Sequence, residues 1–165
     1  MSVEATYDLK LKVVESLDLS SDLASTPDVT FQTDTNVSGQ LTATSTIPAT
    51  KVWGDTRSLT AGTDTIDLTA LTGPLGSTVD FTGLKVQLVK IVGAAANTAV
   101  LVVQQGDTNP YLIFNTTGRA IDVGIDGAYM QKWKDSLADV SSTVKTIKVT
   151  SSDTDASYEI LLVAG

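Results

Sequence analysis

The sequence predicts an all-β protein: an antiparallel β-sandwich of jelly-roll or Greek-key type, with roughly nine to eleven short strands and little helix. Three observations carry that prediction. Apolar and polar residues alternate with period two at 7–13, 37–43, 64–68, 84–88 and 121–125. Clusters of Gly, Pro, Asn, Asp and Ser punctuate the chain at the spacing of sandwich and barrel folds. Apolar residues make up 42% of the chain but aromatics only 5%, so the core must be built from Val, Leu, Ile and Ala, and Val and the abundant Thr both suit a pleated, half-buried surface. With 165 residues, a single sandwich domain spanning 1–165 is expected.

The elements follow in order. Tyr7, Leu9, Leu11 and Val13 alternate with Asp8, Lys10 and Lys12, giving a strand with one apolar and one charged face. Residues 15–28 read as a loop packed down by Leu17, Leu19 and Leu23, with Pro27 as a breaker. Val29, Phe31 and Thr33 start a second strand that ends at Asp34-Thr35-Asn36, and a third runs from Val37 to Thr46. Pro48 removes a ladder donor, so 47–50 is expected to cross between sheets. Lys51 to Gly62 gives a half-buried strand and a tight Ala61-Gly62 turn, leading into a strand at 64–71. Thr72 to Ser77 is a turn. The alternation of Leu84 to Leu88 switches phase at Val89, Lys90 and Ile91, which predicts a β-bulge. Thr98 to Gln105 is nearly all apolar and reads as a central strand. Gly106 to Pro110 turns the chain into Tyr111-Leu112-Ile113-Phe114. Ile121, Val123 and Ile125 alternate with acidic residues and glycine. Tyr129, Trp133 and Leu137 fall at helical spacing, but a strand over Ala128 to Lys134 followed by a sheet-crossing loop at 135–142 fits the neighbouring spacing better. Val144 to Val149 and Tyr158 to Val163 close the fold. Tyr7, Leu9, Leu11, Val86, Leu88, Val100, Val102, Ile147, Val149, Ile160 and Leu162 are the expected core, and an aspartate at Val102 is expected to prevent folding.

Composition removes several functions. The net charge is −8, with 11 basic residues scattered along the chain, so phosphate neutralisation cannot drive nucleic-acid binding. With no histidine and no cysteine, Ser-His-Asp triads, Cys-His nucleophiles and common zinc sites cannot be built. The N-terminus has no basic and apolar signal pattern, and the apolar windows around Leu84 to Val103 are broken by Lys85, Lys90, Gly93 and Asn97. No membrane partner and synthesis in the cytoplasm of a host cell are therefore expected.

What chemistry is left is carboxylate chemistry. Asp64 with Asp67, Asp122 with Asp126, and Asp153 with Asp155 are the close pairs a glycosidase could use, yet Asp122 and Asp126 read as one solvated strand face. Asp34-Thr35-Asn36, Asp107-Thr108-Asn109 and Asp153-Thr154-Asp155 have Asp-x-Asx spacing without a complete calcium loop, and tight turns favour the same residues. Trp53, Trp133, Tyr111 and Tyr129 could form a sugar-stacking platform if they gathered on one surface. No catalytic residue, metal or cofactor is expected.

Taken together, several segments resemble small structural proteins encoded beside capsid genes in tailed bacteriophages. They are the strand Tyr7 to Val13, Gly39-Gln40-Leu41-Thr42-Ala43, Leu59-Thr60-Ala61-Gly62 leading to Ile66-Asp67-Leu68-Thr69-Ala70-Leu71, Gly83 to Leu88, Lys145 to Val149, and the terminal apolar strand. The resemblance implies a capsid decoration (cement) protein on the exterior of the virion, bound to the major capsid protein as a homo-oligomer, with a trimer favoured by capsid symmetry. A tail or tail-fibre component and a carbohydrate-binding module are the alternatives. Asp107, Thr108, Asn109 and Pro110 are candidate contact residues, chosen as a loop tip.

Overall fold

The computed structural model describes residues 4–17, 29–73, 76–133 and 135–165, with side chains for 4–8 and from 38 onward within those ranges. Of the loop expected over 15–28, residues 15–17 belong instead to a strand, and 18–28, like the Pro74-Leu75 part of the turn, lie outside the described residues. The described residues contain twelve strands: β1 (Glu4–Leu17), β2 (Val29–Thr42), β3 (Lys51–Ser58), β4 (Thr63–Asp67), β5 (Leu71–Thr72), β6 (Thr78–Val79), β7 (Val86–Gly93), β8 (Leu101–Gln105), β9 (Ala120–Val123), β10 (Ala128–Lys132), β11 (Thr146–Thr150) and β12 (Ser157–Ala164). The described residues contain no α-helix, and every strand pair is antiparallel.

Two four-stranded sheets, ordered β10-β7-β12-β3 and β4-β11-β8-β9, form the body. Consecutive strands β3 and β4, β7 and β8, β9 and β10, and β11 and β12 lie in different sheets, while the last strand sits between the first and third of the body. That order is a jelly roll of eight strands wound as two Greek keys. The β5–β6 pair is a small flap between β4 and β7. The β1–β2 pair precedes the roll as a two-stranded ribbon, 14 residues on each strand.

The core lies between the two sheets. Trp53, Ile66, Val86, Val89, Ile91, Leu101, Val103, Tyr111, Ile113, Ile147, Val149, Tyr158, Ile160 and Leu162 all belong to it. The loop at 135–142 connects β10 to β11, so it does cross between sheets, and Tyr111 fastens it. Its hydroxyl donates to Ala138 O and accepts from Val86 N, both at 3.0 Å. Burial pushes that phenol up to about 12.

Several expectations are corrected. Asp34-Thr35-Asn36 does not end a strand; β2 pairs without interruption from Val29 to Thr42. Segment 47–50 does pass between sheets as expected, from the β1–β2 ribbon into β3. Val100 is 45% exposed. Val102 is half-buried on the outer face of its sheet, opposite Asp122 and Thr150, because only Leu101 and Val103 of β8 have the inward parity. Tyr7 and Leu88 sit in a second apolar cluster outside the sandwich, and the side chains of Leu9 and Leu11 are not described. Residues 111–114 form a turn instead of a strand. The phase switch in β7 is real, but its bulge lies earlier than expected: Val163 pairs with Leu88 and Ala164 with Val86, leaving Gln87 unpaired.

The Ala61-Gly62 turn is as predicted and makes a corner from one sheet to the other. Both residues have positive φ, 52° and 75°, the requirement of a two-residue hairpin turn of the primed type. Thr60 and Thr63 exchange backbone hydrogen bonds across it, at 3.1 and 3.2 Å. Gly62 is required a second time, since a Cβ there would lie 2.7 Å from Ser151 O.

Two expected outcomes test this fold. Gly62→Ala should destabilise by about 2 kcal/mol while Ala61→Gly should be neutral or stabilising by about 0.5 kcal/mol, read as opposite shifts of the urea midpoint. Val103→Asp should abolish folding, because a lone buried carboxylate costs several kcal/mol. Val102→Asp should stay folded, weakened by about 1 kcal/mol through its position opposite Asp122, with far-UV circular dichroism separating the two.

Candidate interaction face

The two body sheets present opposite chemistry to the outside. On β4-β11-β8-β9 the outward rows are Thr63, Thr150, Val102 and Asp122, then Thr65, Lys148, Gln104 and Ala120, a face that is polar except at Val102 and Ala120. On β10-β7-β12-β3 the strand pairing lines up Leu88, Val163 and Val52 across adjacent strands. The next row is Met130, Lys90, Leu161 and Gly54, and the one after it Ala128, Val92, Glu159 and Thr56. The sequence signal for this second face was the doubly apolar strand Ile160-Leu161-Leu162-Val163, whose even residues are core and whose odd residues are not.

The ribbon base sits on the first row. Leu41, Ala49, Leu88 and Val163 are buried together, with Ala5 and Tyr7 packed against them. Lys132 closes one side: its ammonium donates to the Tyr7 hydroxyl at 2.7 Å and lies 4.6 Å from the Tyr7 ring centroid. The bulge residue Gln87 is 2% exposed and donates its amide to Ile47 O and Pro48 O, at 3.2 and 3.3 Å, fixing the chain between ribbon and β3. The second row stays open. Leu161 in that row is 37% exposed and Lys90 beside it is exposed, while Val52, at the end of the first row, is 45% exposed. A groove of about 610 Å³ runs between Ala5–Asp8 and Leu88, Lys90, Met130, Leu161 and Val163. A shallower depression of about 460 Å³ continues past Leu161 to Gly54 and Glu159.

The candidate carboxylates are occupied elsewhere. Asp64 has inward parity at one end of the sandwich, where Arg57 grips it through Nε–Oδ2 at 2.5 Å and Nη2–Oδ1 at 2.7 Å. The Tyr158 hydroxyl donates to the same carboxylate at 2.6 Å, and the guanidinium lies 6.0 Å from the Trp53 ring centroid. Burial works against the Asp64 anion, but the hydrogen bonds from Arg57 and Tyr158 outweigh it and hold its carboxyl below the usual value of 3.8. The Asp64 hydrogen bond raises Arg57, and burial followed by that same carboxylate raises Tyr158, so both stay protonated donors. This triad plugs the end of the core with satisfied polar groups.

Asp67, three residues along, has outward parity and is bound by Lys145 at 2.6 Å and by Thr69 N and Oγ1. It therefore shares no cleft with Asp64. Asp122 lies on β9, whereas Asp126 sits in the following turn with φ 53°, so the expected common strand face does not form. Asp153 accepts from the backbone amides of Thr98 and Asp155. No group of three or more acidic side chains positioned to hold a metal ion occurs among the described residues. Trp53, Trp133 and Tyr111 are all buried in the core, and the half-buried Tyr129 packs against it, with its ring edge-on to Phe114. The aromatic platform is absent from these positions.

In the 107–110 loop, Asp107 and Thr108 are exposed and Asn109 and Pro110 half-buried. Asp107 pairs with Lys148 at 2.7 Å. Asn109 has φ 52°, and its carbonyl accepts from Lys145 N at 2.8 Å and Thr146 N at 3.0 Å. The loop is thus laced to β11 by its own backbone.

No family model matches the sequence, and no curated protein matches it. Among solved structures, the chain is similar to a chain of the cyanophage Pam1 capsid asymmetric unit, with 15% identity and a TM-score of 0.32, over 71% of this chain and 89% of that one.

The Asp64 plug has a testable pH signature. Its folded-state pKa lies below the unfolded one, so its stabilisation is complete above the unfolded value and is lost as pH falls through the folded value. Urea midpoints should therefore drop below about pH 4. Asp64→Asn should cost about 2 kcal/mol at neutral pH and should show a flatter acid limb than the parent chain.

Proposed function

We propose that this chain is a non-enzymatic structural protein of a tailed-phage virion, acting as a decoration (cement) protein on the outside of the assembled head. The observation that carries the reading is the two-sidedness of the body: one mostly polar outer face, and one outer face with an apolar row, Leu88, Val163 and Val52, on which the base of the ribbon is seated. A protein that clamps a shell needs such a division, with one side in solvent and the other against its neighbours. The sequence resemblance to proteins encoded beside capsid genes supports it, as does a jelly roll in which Asp64, Asp67 and Asp107 are committed to ion pairs and Asp153 to backbone amides.

The mechanism is linkage. A domain that binds the assembled shell and not its separated subunits stabilises the shell by the free energy of its own binding. Sites of this kind repeat around symmetry axes, so the chain would act as a cyclic homo-oligomer against the major capsid protein. No nucleic acid, membrane or cofactor enters the mechanism.

Purified protein mixed with undecorated heads should co-sediment, saturate at a fixed copy number per symmetry axis and raise the temperature at which heads rupture. Gold labelling of whole particles should mark the head. Absence of binding, or label on the tail, would overturn the proposal.

A further inference from the structure

We propose that the free edge of β3 pairs antiparallel with β3 of a second copy of this chain, across a two-fold axis at Thr56, so that the two β10-β7-β12-β3 sheets run on as one. The inference rests on the oligomeric reading above and deepens it by naming the contact.

The backbone supplies the first argument. β3 pairs only with β12, and at eight residues it is the longest edge strand of the body; β10, β4 and β9 have five, five and four. Leu59 N donates to Ala156 O at 2.8 Å, and Ala94 N to Ser157 O at 3.1 Å. Ladder bonds alternate along an antiparallel strand, so even positions of β12 serve β3 and odd ones serve β7. On β3 the odd positions then bond β12, and the amides and carbonyls of Val52, Gly54, Thr56 and Ser58 point away from the sheet. None of these groups has a hydrogen-bond partner among the described residues. Such an edge is a template for another strand unless proline, a bulge or outward charge blunts it. β3 has neither proline nor bulge, and Gly54, Thr56 and Ser58 carry small uncharged side chains.

Charge selects the register. Self-pairing through the outward groups requires even positions to meet even positions. A two-fold at Asp55 pairs all four but sets Asp55 against its own copy, and one at Gly54 sets Lys51 against Arg57. Like charges directly opposite oppose pairing. With the axis at Thr56, Thr56 meets its copy, Gly54 meets Ser58, and Asp55 meets Arg57 on both sides of the axis. The three pairs so formed supply about six backbone hydrogen bonds. The Asp55–Arg57 contacts extend a network already present in each copy, where Arg57 Nη1 lies 3.3 Å from Asp55 Oδ2 while Nε and Nη2 hold Asp64.

The same axis clears the flap. Trp53 Nε1 donates to Thr72 O at 2.8 Å, and the Lys51 ammonium donates to Asp80 O, so the β5–β6 side of the body lies against the start of β3. Pairing over 54–58 leaves that end outside the contact, whereas a two-fold at Trp53 would centre on it. An edge-to-edge contact of this length falls below the roughly 1,200 Å² of stable specific interfaces, so dimers in solution are expected at roughly 100 μM. Copies held side by side on a shell would pair more fully.

The chain has no cysteine, which allows a direct trap. Thr56→Cys places two thiols at the axis, with Cα atoms about 5.5 Å apart and so within disulfide range. Mild oxidation should cross-link this variant to itself at least tenfold faster than Asp55→Cys or Thr116→Cys, the latter at an exposed loop position. Sedimentation equilibrium of the parent chain should show the dimer. Thr56→Lys, which sets like charges across the axis, should weaken association at least tenfold, and Thr116→Lys should not. Circular dichroism of each variant confirms that the body is folded. A parent chain that stays monomeric at about ten times the expected concentration overturns the proposal. So does a Thr56→Cys chain that cross-links no faster than the other two. Head binding is read separately: a monomer that still binds heads removes the edge pairing and leaves the decoration role standing. If the parent chain is monomeric and Thr56→Lys abolishes its head binding, the edge serves a strand of the shell instead, which also overturns the proposal.

Discussion

One unpaired residue decides which side of its sheet each part of β7 serves. With Gln87 bulged out between Val86 and Leu88, Val86, Val89 and Ile91 all point into the sandwich, although the first two are three positions apart. Regular pairing would force Val86 and Leu88 onto the same face: either the core would lose a valine or the ribbon would lose its seat. The bulge serves both, and its amide also holds the backbone at Ile47 and Pro48. The two apolar clusters of the molecule, and therefore its two-sidedness, follow from that single extra residue.

The second constraint is the open end of the sandwich between β3, β4 and β12. An apolar core between two sheets, here aliphatic with Trp53, Phe81, Tyr111, Trp133 and Tyr158 and so more aromatic than the composition suggested, has to stop somewhere, and apolar residues at the rim would face water. Arg57, Asp64 and Tyr158 meet there instead, each carried by a different strand and each satisfied by the others. The guanidinium lies over Trp53, so the plug presents an aromatic surface inward and charge outward. Residues that look in the sequence like a possible carboxylate centre are thus spent on closing the core.

The fold was legible because period-two alternation with turn punctuation survives in almost every body strand, and because Ala61-Gly62 admits few geometries. The parts that were not legible share a cause. A strand that is apolar on both faces, such as β7 or β12, reads as deeply central, when half of its side chains serve an outer surface. Val100 and Val102 mislead for the same reason. Parity within a strand is visible in the sequence, but which parity faces the partner sheet depends on the long-range pairing that β11 imposes on β8. The Arg57–Asp64 pair spans a turn and could have been anticipated from opposite charges on flanking strands; the Tyr158 contribution could not.

Strand order also sets a timetable. The first strand of the body, β3, pairs only with β12, and β7 needs β12 on one side and β10 on the other. About a hundred residues separate β3 from β12, roughly ten seconds of synthesis, and throughout that interval both strands emerge with bare edges. The ribbon is made first, but the residues on which its base lies, Leu88 and Val163, follow much later, and a two-stranded ribbon is marginal in water without such a surface. The eight residues of β12 therefore act as a zip that converts a string of exposed edges into a closed roll and completes the seat of the ribbon base.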